Sequence, residues 1–222
     1  MTRAMLLILS VALLSIATAT AGGATTRLAA APPTTLVLEG SSNVSRWRCQ
    51  GTSVDVSMTV AAPIEKINAV IDHIEDGNIG IWMSRPDEGR FPQPEFAMVI
   101  PIAAFRCGNA VMERDMRQAL RAGRYPSIEF RFKELRGVIE HDIDRNEYGA
   151  TVAGELTMAG VRKEIELPVV AQRLGRDRFR IRAEMPLRMT DFGVKPPTAL
   201  FGIVKAHDDL VVRFDLTMQV AS

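Results

Sequence analysis

Histidine is nearly missing from this chain. His73, His141 and His207 are the only three in 222 residues, and none stands at zinc-site or metalloprotease spacing from another ligating residue. The glycine-rich turns that build nucleophile elbows, phosphate loops and dinucleotide sites are also absent: no G-x-S-x-G, P-loop or G-x-G-x-x-G occurs. Ser41 and Ser42 have no identifiable histidine–acid pair. Asp142, Asp144 and Asn146 begin like a calcium loop, but its sixth and twelfth places hold Glu147 and Ala153, where glycine and glutamate are required. The expectation is a chain with no catalytic residue, no metal and no cofactor.

Charge of one sign is lacking as well. The 27 bases and 26 acids leave a net charge of +1, and they are interspersed, so there is no basic field for nucleic acid and no acidic tail. Aromatic residues make up 6%, too few for the aromatic girdles of an outer-membrane barrel, and the last strand pattern ends without one.

A long apolar run occurs once, at the N-terminus. Arg3 precedes "AMLLILSVALLSIATA", and Ala19-Thr20-Ala21 fits a cleavage site with Gly22 as the new N-terminus. The run is shorter than the roughly 20 residues of a membrane span. Residues 1–21 therefore read as a signal peptide, and the mature protein as periplasmic with no stable membrane span; an uncleaved N-terminal anchor is the alternative. Residues 22–34, with "TTRLAAAPPTT", read as a flexible lead-in, and residues 35–222 as one domain. Cys49 and Cys107 are the only cysteines. An even count in an exported chain favours a disulfide, and neither lies in a C-x-x-C redox motif.

What the chain has in quantity is alternation. In "DLVVRFDLTMQV", Leu210, Val212, Phe214, Leu216, Met218 and Val220 share one face, the period-two signature of a half-buried strand. The same pattern runs through Val54, Val56, Met58 and Val60; through Ile128, Phe130 and Phe132; and through Val152, Leu156 and Met158. It returns in Ile165, Leu167 and Val169, and in Phe179, Ile181, Ala183, Met185 and Leu187. Turn signals around Asn146, Gly160 and Gly175 separate the later runs, giving antiparallel hairpins and a sandwich or barrel.

Two stretches break the β pattern. "AFRCGNAVMERDMRQALRAGRYPSIEFRF" has Asn109 as a helix N-cap, Met112, Met116 and Leu120 at i, i+4, i+8, Gly123 placed for the left-handed end, and Pro126 as a stop. This reads as an amphipathic helix capping an open barrel end, or as a lid whose methionines line a ligand entrance. "PIEKINAVIDHIEDGN" places Ile64, Ile67, Ile71 and Ile74 at helical spacing behind Pro63. The following "MSRPDEGRFPQPEF" reads as an exposed loop.

Three of these motifs, in order, resemble the YceI-like family. Arg114-Asp115 in the helix, Tyr125-Pro126 with Ile128 and Phe130 at the next strand, Gly154, Leu156 and Gly160 in a hairpin, and Asp191-Phe192-Gly193 before the last strand occupy the family's places. "GSSNVSRWRC" and "FRCGN" are similar to a subgroup with a tryptophan and paired cysteines. The resemblance spans about residues 35–220, is strongest after Cys107, and fades across 63–95, which reads as an insertion. It implies an all-β, lipocalin-like, extended antiparallel barrel of about eight strands with one or two short helices capping it. It also implies a periplasmic protein that binds amphiphiles or polyisoprenoid lipids in the barrel.

The function expected is a non-catalytic carrier of an amphiphilic or isoprenoid lipid, with Trp47, Met112, Met116, Phe130, Phe132, Met158, Phe179 and Phe214 as ligand contacts. No nucleic acid partner is expected, and a homodimer is left open. Two alternatives stand beside it. One is an isomerase or cyclase acting in the cavity, which would need His141, Asp191 or Glu155 to point inside. The other is a filled barrel serving as an interaction module.

Overall fold

The computed structural model of the protein describes residues 24–76, 92–142 and 146–221. Residues 1–21, read above as a signal peptide, most of the proline-rich loop and the tip of the "DIDRNE" turn lie outside the described residues. Eleven strands occur among those described: β1 (Thr26–Ser42), β2 (Arg46–Gly51), β3 (Asp55–Val60), β4 (Glu95–Pro101), β5 (Phe105–Arg106), β6 (Ser127–Asp142), β7 (Glu147–Met158), β8 (Val161–Arg173), β9 (Arg178–Arg188), β10 (Thr198–Ala199) and β11 (Val204–Val220). Two helices join them, α1 (Ile64–Glu75) and α2 (Ala110–Ala119).

Eight strands close an antiparallel barrel in the order β1–β3–β4–β6–β7–β8–β9–β11, and β11 returns to β1. β1 is shared along its length: residues 26–29 pair with β3, whereas residues 36–41 pair with β2, which in turn pairs with β5. Closure leaves the main circuit without a free edge. The alternation expected of β11 holds, with Val212, Phe214, Leu216 and Met218 buried.

The flexible lead-in expected over 22–34 is corrected from Thr26 onward. Those residues are the first half of β1, paired with both β3 and β11. Small side chains hide the strand pattern, and the backbone ladder holds it instead. Pro32 and Pro33 fall where the register with β11 shifts, between Ala31 and Thr35, so no ladder donor is lost from a regular stretch. Thr34 stands in there: its hydroxyl accepts from the Thr217 amide at 3.3 Å and donates to the Ala31 carbonyl at 2.8 Å.

The base of the barrel is covered by α1. Ile67 packs beside a core of Leu28, Val60, Ala62 and Met218. Arg173, at the end of β8, bonds Asp72 at 2.5 Å and also Glu75, while the Tyr148 hydroxyl donates to Glu75 at 2.7 Å. Arg173 holds the Asp72 carboxyl below its usual range, and burial followed by the Glu75 bond pushes the Tyr148 phenol up. Asn68, the buried residue of the helix, donates to the Arg176 carbonyl at 2.9 Å. The isoleucine stripe thus forms the helix expected of it, anchored by polar bonds at one end.

At the other end lies α2, starting as expected: Asn109 Oδ1 accepts from the Met112 amide at 2.8 Å. Its C-terminus differs from the expectation at Gly123. The left-handed residue is Arg121 (φ 53°), with the paired bonds Ala122 N–H to Arg117 O and Arg121 N–H to Gln118 O that close a helix end. An arginine tolerates that backbone because its guanidinium binds the Ala159 carbonyl and lies 5.3 Å from the Tyr125 ring centre. Tyr125 in turn rests on Gly160, where an added Cβ would come within 2.3 Å of the ring. The helix is thereby fastened to the β7–β8 hairpin.

Candidate functional site

Inward-facing side chains of the strands meet the underside of α2 around a cavity of about 330 Å³. Its inner walls come from alternate residues: Leu36 and Leu38 on β1, Met98 and Ile100 on β4, Ile128 and Phe130 on β6, Leu156 and Met158 on β7, and Leu167 on β8. Met185 and Leu187 on β9, and Val212 and Phe214 on β11, complete the circuit. A ring of one-faced strands therefore creates an apolar chamber simply by closing.

Two glycines make room for the aromatic walls. A Cβ at Gly40 would come within 2.2 Å of the Trp47 ring, and one at Gly154 within 2.3 Å of Phe130. Trp47 packs against Gly40 of β1 and donates its indole N–H to the Ser41 carbonyl at 3.3 Å. Phe130 also makes an edge-type contact with Phe96, with ring centres 6.2 Å apart.

The roof is α2. Met112, Met116 and Leu120, the stripe expected from the sequence, all line the chamber. The helix is tied to the wall by the Cys49–Cys107 disulfide, which joins β2 to the residue just after β5. Glu113 reinforces the tie by accepting from the Cys107 amide at 3.1 Å.

Polar side chains reach the chamber only at its rim. Ser42 and Ser45 come from the β1–β2 turn, Asn109 and Asp115 from α2, and Thr198 from β10. Ser45, Asn109, Val111 and Thr198 are exposed, so the chamber opens there. Beside the rim, the Met189–Phe192 turn ends at Gly193 (φ 64°) and brings Met189 and Val194 into the wall. Asp208 fastens this turn: Thr190 donates its amide at 2.8 Å and its hydroxyl at 2.6 Å, and Arg188 Nε donates at 3.0 Å. The Thr190 bonds, with Arg188 beside them, hold the Asp208 carboxyl below the usual carboxylate range.

Of the expected contacts, Trp47, Met112, Met116, Phe130, Met158 and Phe214 line the chamber, whereas Phe132 and Phe179 do not. Phe132 points inward but lies one layer nearer the base, opposite Gly154. Phe179 sits at the base itself, against the second core. Alternation assigns a face, not a height along the barrel, and both corrections have that origin.

The carboxylates that an enzyme reading would need inside lie elsewhere. Glu155 faces out, 3.1 Å from Arg162, and Asp191 is exposed, 3.5 Å from Lys163; the His141 side chain is outside the described set. Asp115, the carboxylate that does line the rim, is bonded by Arg114 at 3.1 Å.

A family model for the YceI-like domain matches residues 42–218. Among solved structures, a polyisoprenoid binding domain from Saccharophagus degradans superposes with a TM-score of 0.58 at 14% identity, covering 88% of this chain and 98% of that one. BcnA from Burkholderia cenocepacia gives 0.55 at 16% identity, covering 83% and 95%. No curated protein matches the sequence.

Proposed function

Because the chain belongs to the YceI-like family, we propose that it is a non-catalytic periplasmic carrier that holds the apolar tail of an amphiphilic or isoprenoid lipid in the barrel. The observation that carries this reading is the chamber: about 330 Å³ walled almost wholly by aliphatic, methionine and aromatic side chains, with polar groups confined to the rim. Such a site gains affinity from area removed from water, at about 0.8 kcal/mol per buried methylene, and needs no internal polar contact. A polar head fits at the rim, where Ser45 and Thr198 offer hydroxyls.

Size refines the reading. An apolar cavity of about 150 Å³ takes up benzene, so this chamber has room for roughly a dozen carbons by the same ratio. A longer isoprenoid would thread only its terminal units inside and leave the rest at the mouth. Export by residues 1–21 would place the protein in an oxidising compartment, which suits the Cys49–Cys107 bridge.

The test is native mass spectrometry and lipid extraction of the exported protein from its own host. One amphiphile or isoprenoid per chain is expected. Protein that is always empty and takes up no isoprenoid when offered it overturns the proposal.

A further inference from the structure

Six large apolar side chains are exposed among the described residues, and four of them line the cavity or stand within three residues of a side chain that does. Val44 (63% exposed) tips the β1–β2 turn, Val111 (55%) the start of α2, and Phe201 (108%) and Ile203 (68%) the loop before β11. The Asn43 side chain donates to the Ile203 carbonyl at 2.9 Å and accepts from the Lys205 amide at 2.8 Å, locking the turn to the loop. Val111 and Thr198 both line the opening.

Phe201 is held outward. Its backbone is left-handed (φ 55°, ψ 32°), a region that aromatic residues seldom occupy, and its ring is fully in solvent. Three cations beside the tips lack an acid partner. Arg46, Lys195 and Lys205 are exposed, and among the described residues none has an ion-pair partner. The rim acid Asp115 is bonded by Arg114, and Asp208 by Arg188 and Thr190.

We infer that this rim is a membrane-docking surface: Val44, Val111, Phe201 and Ile203 enter the interface of an anionic bilayer while Arg46, Lys195 and Lys205 meet its headgroups. Separate apolar tips ringed by unpaired cations match a lipid interface, where aromatic and aliphatic side chains sit at headgroup depth and basic residues add attraction. A stable protein partner instead needs a contiguous, complementary area of about 1,000 Å² or more, and here the tips stand around an opening. Docked this way, the chamber faces hydrocarbon, and an apolar tail passes between bilayer and barrel without crossing water. The purpose of the surface rests on the carrier reading; its test does not.

The test is co-sedimentation with vesicles of phosphatidylcholine, alone or containing phosphatidylglycerol. The wild-type chain is expected to bind the anionic vesicles and to bind phosphatidylcholine alone more weakly. The double variant F201S/I203S should lose at least about tenfold in partitioning, through lost interfacial apolar contact. K195Q/K205Q should lose the anionic preference, at roughly fivefold per cation. None of these four residues lines the chamber, so uptake of a soluble medium-chain alcohol should be unchanged in both variants, which separates failure of docking from failure of the carrier reading. In F201W, the new indole should shift its emission to the blue on anionic vesicles. Absence of vesicle binding by the wild type, equal binding by the variants, or no shift in F201W overturns the inference. A concentration-dependent dimer that F201S/I203S abolishes, without vesicle binding, overturns it in favour of self-association.

Discussion

Gly154 lies directly against Phe130: an added Cβ would come within 2.3 Å of the ring and within 2.7 Å of the Arg131 carbonyl oxygen. The ring could move aside; the carbonyl belongs to the β6 ladder and cannot move without breaking register. Gly154→Ala is therefore expected to cost about 1–3 kcal/mol through overpacking, and to push Phe130 into the chamber. Thermal melts should fall by roughly 2–4 °C per kcal/mol for a chain of this size. Gly175→Ala is the control, since its Cβ meets nothing nearer than Asp177 Oδ1 at 3.7 Å, and it should melt close to wild type.

The Cys49–Cys107 bridge closes a loop with a sequence separation of 58. In the chain-entropy account, a loop of that length contributes about 4 kcal/mol. The paired variant C49S/C107S should unfold at lower denaturant, with a somewhat steeper slope because the uncrosslinked denatured chain is more expanded. It should also lose protection of α2 amides in hydrogen exchange before those of β7 or β8, because the bridge ties the roof to the wall. Uniform loss across the barrel would contradict that role.

Acid should loosen the protein through carboxylates held below their usual range, Asp215 and Asp208 among them. Asp215 is held below its usual range by a two-pronged bond from Arg180, Nε to Oδ1 at 2.7 Å and Nη2 to Oδ2 at 2.5 Å. Asp208 is held down by Thr190. The folded pKa lies below the unfolded value of about 3.9 in each case, so the stability they contribute is fully present above about pH 4. It drains as pH falls through the folded value. Melts between pH 6 and about 2.5 should show this limb. Asp215→Asn should be less stable at neutral pH and show a shallower acid slope; an unchanged slope would count against the assignment.

How much of this was readable in the sequence differed by element. The wall strands β6 to β9 and β11 announced themselves, because a barrel wall wets one face and buries the other. The first half of β1 did not, since Ala29, Ala30 and Ala31 carry no contrast between faces and the strand is specified by its partners. β2, β4, β5 and β10 were also missed as strands, being short or lacking a clean polar face.

The helix end shows a subtler limit. Gly123 looked like the left-handed residue by composition, yet Arg121 takes that role, stabilised by Ala159 and Tyr125, residues distant or downstream that local grammar does not weigh. At the site, the methionine stripe of α2 and most aromatic walls were legible from face alone. The chamber itself was not, because hollow and filled barrels present the same inward residues. What opens space is the seating of Trp47 and Phe130 against Gly40 and Gly154, a pairing across strands.

The most direct measurement is the affinity of straight-chain alcohols of increasing length, by calorimetry or dye displacement. If tails are buried in the chamber, each methylene should tighten binding by about 0.8 kcal/mol, roughly fourfold. The gain should level off near roughly a dozen carbons, when the space is full. Affinity that does not depend on chain length, or no binding at any length, would contradict an apolar chamber built to hold a lipid tail.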